Sequence, residues 1–207
     1  MPTFYHAPHS RSTAILTLVH ELGDPADLDI VRIDIRRGDG SGASDPANPH
    51  PEGKAPVIVD GGDMIRERAA IIVWLTERYP SDLAPNAGEK GRGPFLSWLA
   101  WYAGVMEPVA ILDYLKIENE DLKATFRDLP TAVQRVEEAL ADRAYLLGDT
   151  YSAADLLVGG AFAFFSQMIP ETGPIRAWVD RCQDRDSVRR AGADDAAWMA
   201  RMSASAS

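Results

Sequence analysis

Hydroxyl side chains lie at the point where a predicted strand gives way to a predicted helix. The segment reads Tyr5-His6-Ala7-Pro8-His9-Ser10-Arg11-Ser12. The free N–H groups and the positive dipole end of a helix N-terminus stabilise an anion, including a thiolate. Ser10 and Ser12 are both within reach of that position. One of them could equally be only the N-cap of the helix, and Tyr5 could be a core aromatic.

A proline stands at the start of a later strand, in the segment His50-Pro51-Glu52-Gly53-Lys54-Ala55-Pro56-Val57. Proline removes a donor from the strand ladder, so its presence there needs a reason. If the Ala55–Pro56 bond is cis, the backbone groups beside it turn toward a ligand, and an extended peptide could pair with Val57 as an extra strand. The alternative is an ordinary loop proline. Lys54 could meet a carboxylate or simply be solvated.

An acid and a base stand together at the start of another predicted helix, in Glu67-Arg68-Ala69-Ala70-Ile71. Glu67 could accept an α-ammonium group, while Arg68 and the helix N–H groups take the neighbouring α-carboxylate. Alternatively, Glu67 is a simple first-turn acid favoured by the helix dipole.

Ser152 and Asp155 are three residues apart before an apolar run, which is the spacing of a capping box with Asp in the usual Glu position. We interpret this pair as structural: it fixes the start of a buried helix and performs no catalysis.

The elements that position these segments fall into two groups. Residues 3–6, 28–35, 57–59 and 64–65 read as strands, with helices over 14–22 and 67–79, which gives the order β-α-β, loop, β-β-α. The breaker-rich stretch 81–93 is the predicted linker. Helices then follow over 95–118, 121–143, 152–168 and 175–183, the first of them interrupted at Pro108. The serine–alanine tail 203–207 is predicted to be disordered.

Composition narrows the function classes. The chain has 207 residues and a net charge of −10, which argues against general nucleic-acid binding. Its one cysteine, Cys182, fits a reducing compartment. We find no apolar run of about 18 residues and no secretory pattern, and therefore expect a cytoplasmic protein without a membrane span. His6 and His9 have no third ligand nearby in sequence, so no metal is expected.

Together the four segments resemble the cytosolic glutathione S-transferase family over nearly the whole chain. Ser10-Arg11-Ser12 is similar to the serine version of strand one's end in many bacterial members. The segment 50–57 resembles the family's proline loop, with Pro56 at the cis position. The segment 67–71 resembles the Glu-Ser-x-Ala-Ile motif, and 148–155 resembles the buried capping motif. The resemblance implies an α/β thioredoxin-like domain over 1–80, the linker 81–93 and an all-α domain over 94–207.

The resemblance also implies a site. Glutathione would be the co-substrate, with Ser10, then Ser12, then Tyr5 ranked as stabilisers of its thiolate. The implied glutathione-binding residues are Arg11, His50, Lys54, Ala55, Pro56, Val57, Glu67 and Arg68. Tyr102 and Met106 would contact a small hydrophobic electrophile. One departure stands out: the family usually has serine after the glutamate, where this chain has Arg68, which can still pair with a carboxylate.

The implied activity is transfer of glutathione to an electrophile, in a cytoplasmic homodimer with a role in detoxification and with no nucleic-acid or membrane partner. Two alternatives stay open. The chain could be a non-catalytic protein of the same fold that binds a ligand or partner. It could also run another glutathione chemistry, as a peroxidase, dehalogenase or isomerase.

Overall fold

The computed structural model describes residues 1–205, with side chains described through Ala204. The chain forms two compact units. The first unit contains Met1–Tyr79 together with the C-terminal segment from Asp186, and the second contains Pro80–Arg185. The C-terminal segment therefore belongs with the N-terminal sheet, whereas we expected it in a helical domain over 94–207.

The first unit is built around a four-stranded sheet in the order β2-β1-β3-β4. Its strands are β1 (Thr3–His6), β2 (Asp29–Arg32), β3 (Val57–Asp60) and β4 (Asp63–Ile65). β1 pairs in parallel with β2 and antiparallel with β3, which pairs antiparallel with β4. Gly61 and Gly62 join β3 to β4 with φ values of 57° and 97°, and only a residue tolerant of positive φ suits both positions. The predicted four-stranded sheet is confirmed.

Two helices cover this sheet and supply most of its core. They are α1 (Thr13–Glu21) and α2 (Arg68–Arg78), which pack against each other. α1 is the crossover that a parallel β1–β2 pair requires. The fully buried apolar side chains of these elements are Phe4, Ile15, Leu16, Leu18, Ile58, Ile71, Ile72 and Leu75. Their removal from water is the main force that holds the strand–helix junctions in place.

The second unit is built from helices. They are α3 (Arg92–Trp101), α4 (Glu107–Tyr114), α5 (Glu120–Phe126), α6 (Leu129–Leu140), α7 (Ala153–Phe164) and α8 (Pro174–Gln183). A five-residue π-helical segment, Tyr102–Met106, joins α3 to α4. Pro108 follows it at once, and proline has no N–H to continue the ladder. The predicted interruption of this helix at Pro108 is confirmed.

The single helix that we expected over 121–143 is instead two helices, α5 and α6. Arg127 ends α5 with φ of 77°, in the left-handed region. Asp128 then caps α6, because its carboxylate accepts a hydrogen bond of 2.9 Å from the Thr131 N–H, and Pro130 stands in the first turn. The Asp128 cap and Pro130 mark the start of α6, but the apolar residues continue at helical spacing on both sides of them. The apolar pattern alone therefore did not show the break.

The stretch Arg92–Tyr114 is long and apolar enough to cross a bilayer by length and composition alone. Of its most apolar 18-residue window, 44% is buried inside the protein. A core helix passes the same test, so a single such helix is weak evidence for a membrane span.

A ninth helix, α9 (Asp186–Ser205), packs along α1 in the first unit. Its buried residues are small or polar: Ser187, Ala191 and Asp195. Its larger apolar side chains, Val188, Trp198 and Met199, are only half-buried, and the helices predicted from the sequence end at residue 183, so the sequence analysis did not include this helix. Residues 203–205 continue this helix, so the disorder predicted for 203–207 is wrong there, and residues 206 and 207 lie outside the described part of the chain.

The capping box at the start of α7 is confirmed. The buried Asp155 carboxylate accepts hydrogen bonds from the Ser152 N–H and hydroxyl, at 3.0 and 2.6 Å. It also accepts from the Leu146 N–H at 2.8 Å and the Trp178 Nε1–H at 3.0 Å. Burial raises the pKa of Asp155, and these hydrogen bonds only partly oppose that shift. One carboxylate thus joins the start of α7 to the loop before it and to α8.

We expect Asp155→Ala to lower the free energy of unfolding by about 3 kcal/mol or more, because several buried donors lose their acceptor at once. Chemical denaturation followed by circular dichroism measures this. Asp149→Ala, at an exposed aspartate just upstream, is the matched control and should change stability by less than about 0.5 kcal/mol. A loss below about 1 kcal/mol for Asp155→Ala would contradict the structural role.

Candidate active site

Ser12 stands at the centre of the turn between β1 and α1. It is the N-cap residue of α1 by position, but its hydroxyl makes no capping hydrogen bond. Instead Ser12 Oγ accepts from the Ala7 N–H at 2.9 Å and lies 2.7 Å from the Ala7 carbonyl oxygen. His6 Nδ1 lies 2.8 Å from the same Oγ. Ser12 is fully buried, so its hydroxyl is out of reach of solvent.

Ser10 is the serine of this turn that is partly exposed. Its Oγ lies 2.9 Å from Ser12 Oγ and 2.7 Å from the Ala7 carbonyl oxygen. The Ser12 N–H donates to Ser10 Oγ at 3.1 Å, and the Thr13 N–H donates to the Ser10 carbonyl at 3.0 Å. Ser10 therefore closes the first turn of α1 and also stands between the buried network and solvent.

A histidine and an aspartate extend the network inward, and the sequence predicted neither as a site residue. His6 Nε2 lies 2.8 Å from Asp195 Oδ1. The second oxygen, Oδ2, accepts from the His9 N–H at 2.8 Å and from the Thr13 hydroxyl at 2.6 Å. His6 and Asp195 are 0% and 1% exposed. Asp195, on α9, thus binds the end of β1, the following turn and the first residue of α1.

Asp195 is an ionised carboxylate. Burial raises its pKa, but the hydrogen bonds from His6, Thr13 and the His9 backbone outweigh burial and hold the pKa below its ordinary value. An ionised carboxylate can only accept hydrogen bonds. His6 Nε2 must therefore carry a proton, and the atoms form a continuous chain in the order Asp195, His6, Ser12, Ser10.

Tyr5, the third predicted thiolate stabiliser, lies apart from this chain. It is half-buried on β1, in register with Val31 of β2 and Val57 of β3. Successive side chains of a strand point to opposite faces, so Tyr5 faces away from His6. The structure brings Ser10 and Ser12 together and leaves Tyr5 on the other side of the sheet.

The predicted proline loop leads into β3. The Ala55–Pro56 peptide bond is cis, as that loop predicts. Pro56 and Val57 are buried, and Val57 pairs with Tyr5. The ladder between β3 and β4 begins one residue later, at Ile58. The β4-facing edge beside Val57 therefore lies beyond that ladder, where an extended peptide could pair.

His50 and Lys54 belong to the loop before that proline. His50 is nearly buried, its Nδ1 accepts from the Glu52 N–H at 3.1 Å, and its N–H donates to Asn48 Oδ1 at 2.9 Å. The Asn48 amide in turn donates to the Lys54 carbonyl at 3.1 Å. His50 and Asn48 thereby shape the loop, while the Lys54 side chain is exposed.

Glu67 is the N-cap residue of α2 and has φ of 65°. Residues other than glycine rarely adopt a positive φ, and those that do are concentrated at functional sites. Glu67 is exposed, its carbonyl accepts from the Ile71 N–H at 2.9 Å, and Arg68 follows it as the first residue of α2. Arg11 is exposed in the turn before α1.

Tyr102 and Met106 lie in the π-helical segment of the second unit, and both are buried. The second unit also has large apolar side chains that are exposed to solvent. They are Leu96, Tyr114, Leu115, Ile117 and Phe164. The Tyr114 and Phe164 rings both pack against Phe165, with centroids 6.2 and 4.8 Å away.

The one cysteine is an inert thiol, because Cys182 is buried on α8 and burial raises its pKa. Within the described residues, no group of three His, Cys, Asp or Glu side chains is placed to hold a metal ion.

Comparison with known proteins bears on this geometry. Residues 96–186 match the glutathione S-transferase C-terminal domain. Glutathione S-transferase F10 of Arabidopsis thaliana is 28% identical over 197 residues, which cover 85% of this chain and 88% of that protein. These matches support the glutathione S-transferase family.

Solved glutathione S-transferases share the fold. One from Actinobacillus pleuropneumoniae has a TM-score of 0.76 at 22% identity, over 94% of this chain and 93% of that one. One from a sphingomonad, complexed with glutathione, has a TM-score of 0.73 at 22% identity, over 94% and 98%. The predicted fold class, a thioredoxin-like N-terminal domain followed by an all-helical C-terminal domain, is confirmed.

The Asp195 carboxylate should make the stability of the protein depend on acid pH. Its folded pKa is lowered, so its stabilising contribution is complete above the unfolded value of about 3.9 and is lost as pH falls through the folded value. The difference in unfolding free energy between wild type and Asp195→Asn should therefore be constant near neutral pH and shrink below about pH 4.

Denaturant titrations at a series of pH values measure this difference. The matched control is Asp194→Asn, which changes the neighbouring, half-exposed carboxyl of α9 and should shift stability by less than about 0.5 kcal/mol. If the difference in unfolding free energy between the wild type and Asp195→Asn grows toward low pH, Asp195 is not the ionised acceptor described above.

Proposed function

We propose that the chain is a glutathione S-transferase that holds the glutathione thiol as a thiolate and conjugates it to a small hydrophobic electrophile. One observation carries the proposal: the partly exposed Ser10 hydroxyl stands at the start of α1, at the solvent end of a buried hydrogen-bond chain. A hydroxyl that donates to sulfur favours the charged form, and the helix N-terminus adds to this effect. The matches to glutathione S-transferases support the same activity.

In the proposed reaction the protein forms no covalent bond to glutathione or to the electrophile. Glutathione lies extended along the first unit, and the backbone of Val57 pairs with its cysteinyl residue in the manner of an added strand. The sulfur loses its proton beside Ser10, and the thiolate attacks the electrophilic carbon to form a C–S bond. The bond from that carbon to its leaving group breaks, and the leaving group, such as the halide of an aryl halide, departs with the bonding electron pair. The protein lowers the barrier by supplying more of the nucleophile and by holding it in place.

The charged ends of glutathione would be held by side chains of the two other predicted segments. Glu67 accepts the α-ammonium group of the γ-glutamyl end, and Arg68 pairs with the adjacent carboxylate. Lys54 meets the glycine carboxylate, with Arg11 and His50 nearby in the proposed site. The positive φ of Glu67 supports this assignment, because strained backbone positions of this kind concentrate at functional sites.

We predicted that Tyr102 and Met106 contact the electrophile, but both are buried, so they would support an electrophile site from behind its surface; the candidate for direct contact is exposed Tyr114 on the same run of helix. We also propose that the protein is a homodimer, works in the cytoplasm and acts in detoxification. Sedimentation of the pure protein tests the dimer.

We expect Ser10→Ala to raise the pKa of bound glutathione by about one to two units, since a hydrogen bond to a charged group is worth about 1.5–3 kcal/mol. Ultraviolet difference absorbance of the bound thiolate, titrated against pH, measures this pKa. Ser97→Ala, at an exposed serine of α3, is the matched control and should leave the titration unchanged. An unchanged titration in Ser10→Ala would remove Ser10 from the site.

The same preparations separate the proposed activity from a non-catalytic protein of this fold. The wild type should be retained on glutathione resin and should turn over a generic aryl halide. Retention without turnover of any electrophile would favour the ligand-binding alternative.

We expect Glu67→Gln to weaken glutathione binding about tenfold, because the loss of a charge-assisted bond costs about 1.4 kcal/mol or more. The pKa of the bound thiol should hardly change, since Glu67 holds the other end of the tripeptide. Calorimetric titration measures the dissociation constant. Glu77→Gln, at an exposed acid near the end of the same helix, is the control and should bind as the wild type does. Equal affinity in Glu67→Gln would contradict the assignment.

A further inference from the structure

Stabilisation of a thiolate requires only the Ser10 hydroxyl, so it does not explain why Ser10 is connected to a buried serine, histidine and aspartate. Ser12, His6 and Asp195 are all fully buried, so none of them can touch a substrate. The order Asp–His–Ser is that of nucleophile-activating relays, but a nucleophile must be exposed and Ser12 is not. The chain instead reaches solvent through Ser10, whose Oγ lies 2.9 Å from Ser12 Oγ.

The proton positions in the free protein follow from the donor inventory. The ionised Asp195 accepts a hydrogen bond from His6 Nε2–H, so a neutral His6 presents a lone pair at Nδ1. The Ser12 hydroxyl then donates to Nδ1 across 2.8 Å, and Ser12 Oγ accepts from the Ala7 N–H and from the Ser10 hydroxyl. Ser10 Oγ accepts from the Ser12 N–H and keeps one lone pair for a further donor.

A second arrangement of protons satisfies the same distances. If His6 also carries a proton on Nδ1, it donates to Ser12 Oγ. The Ser12 hydroxyl then turns to the Ala7 carbonyl oxygen, 2.7 Å away. Ser12 Oγ then accepts from His6 Nδ1–H and from the Ala7 N–H, so it no longer accepts from the Ser10 hydroxyl, and Ser10 is able to donate outward. The two arrangements differ by one proton, and in both of them every buried donor named here has an acceptor.

We propose that His6, paired with Asp195, receives through Ser12 and Ser10 the proton that the glutathione thiol loses on binding. This inference rests on the proposed function. The thiol S–H bond breaks as its proton passes to Ser10 Oγ, the Ser10 proton passes to Ser12 Oγ, and the Ser12 proton passes to His6 Nδ1. The products are a thiolate with the Ser10 hydroxyl directed at it, and an imidazolium next to the Asp195 carboxylate.

The geometry around His6 supplies the charge partner that this product requires. A nearby carboxylate stabilises an imidazolium, and Asp195 is held rigidly because its second oxygen binds the His9 N–H and the Thr13 hydroxyl. The remaining ring neighbour within the described contacts is Phe4, with centroids 5.6 Å apart. His6 and Asp195 are thus positioning residues: they act on glutathione only through the two serines.

The proposal is tested by counting protons in the wild-type protein. Calorimetry at neutral pH in two buffers of different ionisation enthalpy gives the protons released per glutathione bound, and ultraviolet absorbance gives the thiolate formed. S-methylglutathione, which has no thiol, supplies the background to subtract. We expect well under one proton released per thiolate formed. One full proton released per thiolate overturns the relay, and the absence of any bound thiolate would instead overturn the proposed function.

Variants give a second, independent readout. His6→Gln and Asp195→Asn should each lower the bound-thiolate fraction several-fold, and any thiolate that still forms should release a full proton. Adding Ser10→Ala to either variant should change the bound-thiolate fraction little, because the path from Ser10 then no longer ends at a His6–Asp195 pair that can accept the proton. Ser187→Ala removes a hydrogen bond between α9 and Glu21 of α1 away from the relay and should match the wild type. Additive effects of Ser10→Ala and Asp195→Asn would contradict the relay.

Discussion

The geometry of the candidate site depends on one buried carboxylate. Moving an unpaired carboxylate out of water costs several kcal/mol, so Asp195 can be buried only where donors meet it. The donors are His6 at the end of β1, the His9 backbone in the turn, and Thr13 at the start of α1. These three positions frame Ser10 and Ser12. This polar contact gives the packing of α9 along α1 a defined position, because each hydrogen bond requires its partners at a set distance and angle.

Each unit holds a fully buried aspartate, and the two differ in electrostatics. Burial dominates at Asp155, whose donors are neutral N–H and hydroxyl groups, and its pKa is raised. At Asp195 burial acts in the same direction, but His6 lies against the carboxylate and the pKa is lowered. Neutral donors can satisfy a carboxylate geometrically without compensating its charge, whereas an imidazole can take up the matching charge. Asp155 therefore serves as a structural cap, and Asp195 is suited to a step in which charge changes.

Sequence patterns predicted the structural features that depend on residues close together in the chain. The order of strands and helices along the chain, the capping box of Ser152 and Asp155, and the turn that holds Ser10 all follow from residues within about ten positions of one another, and a short motif implied the cis bond before Pro56. The pairing of β1 with β3 instead joins residues far apart in the chain, such as Phe4 and Ile58. The helix break at Arg127 was missed because an apolar pattern ran across it. α9 was missed for a different reason, since its fully buried positions, Ser187, Ala191 and Asp195, are small or polar and do not look like the core face of a helix. The contact between His6 and Asp195 spans 189 positions, and no local pattern encodes it.

Because of this long-range contact, the unit that would bind glutathione in the proposed function includes α9 as well as the N-terminal residues. The sequence suggests a self-contained N-terminal domain that ends at the linker, because every predicted glutathione-binding residue lies before position 80. The structure adds α9 to that unit and places on it the only carboxylate that meets His6 among the described contacts. Without α9, His6 would lack its ionic partner, and the turn would lose three hydrogen bonds that hold its shape. α9 must therefore pack against β1 and α1 before the turn that presents Ser10 has all of these hydrogen bonds.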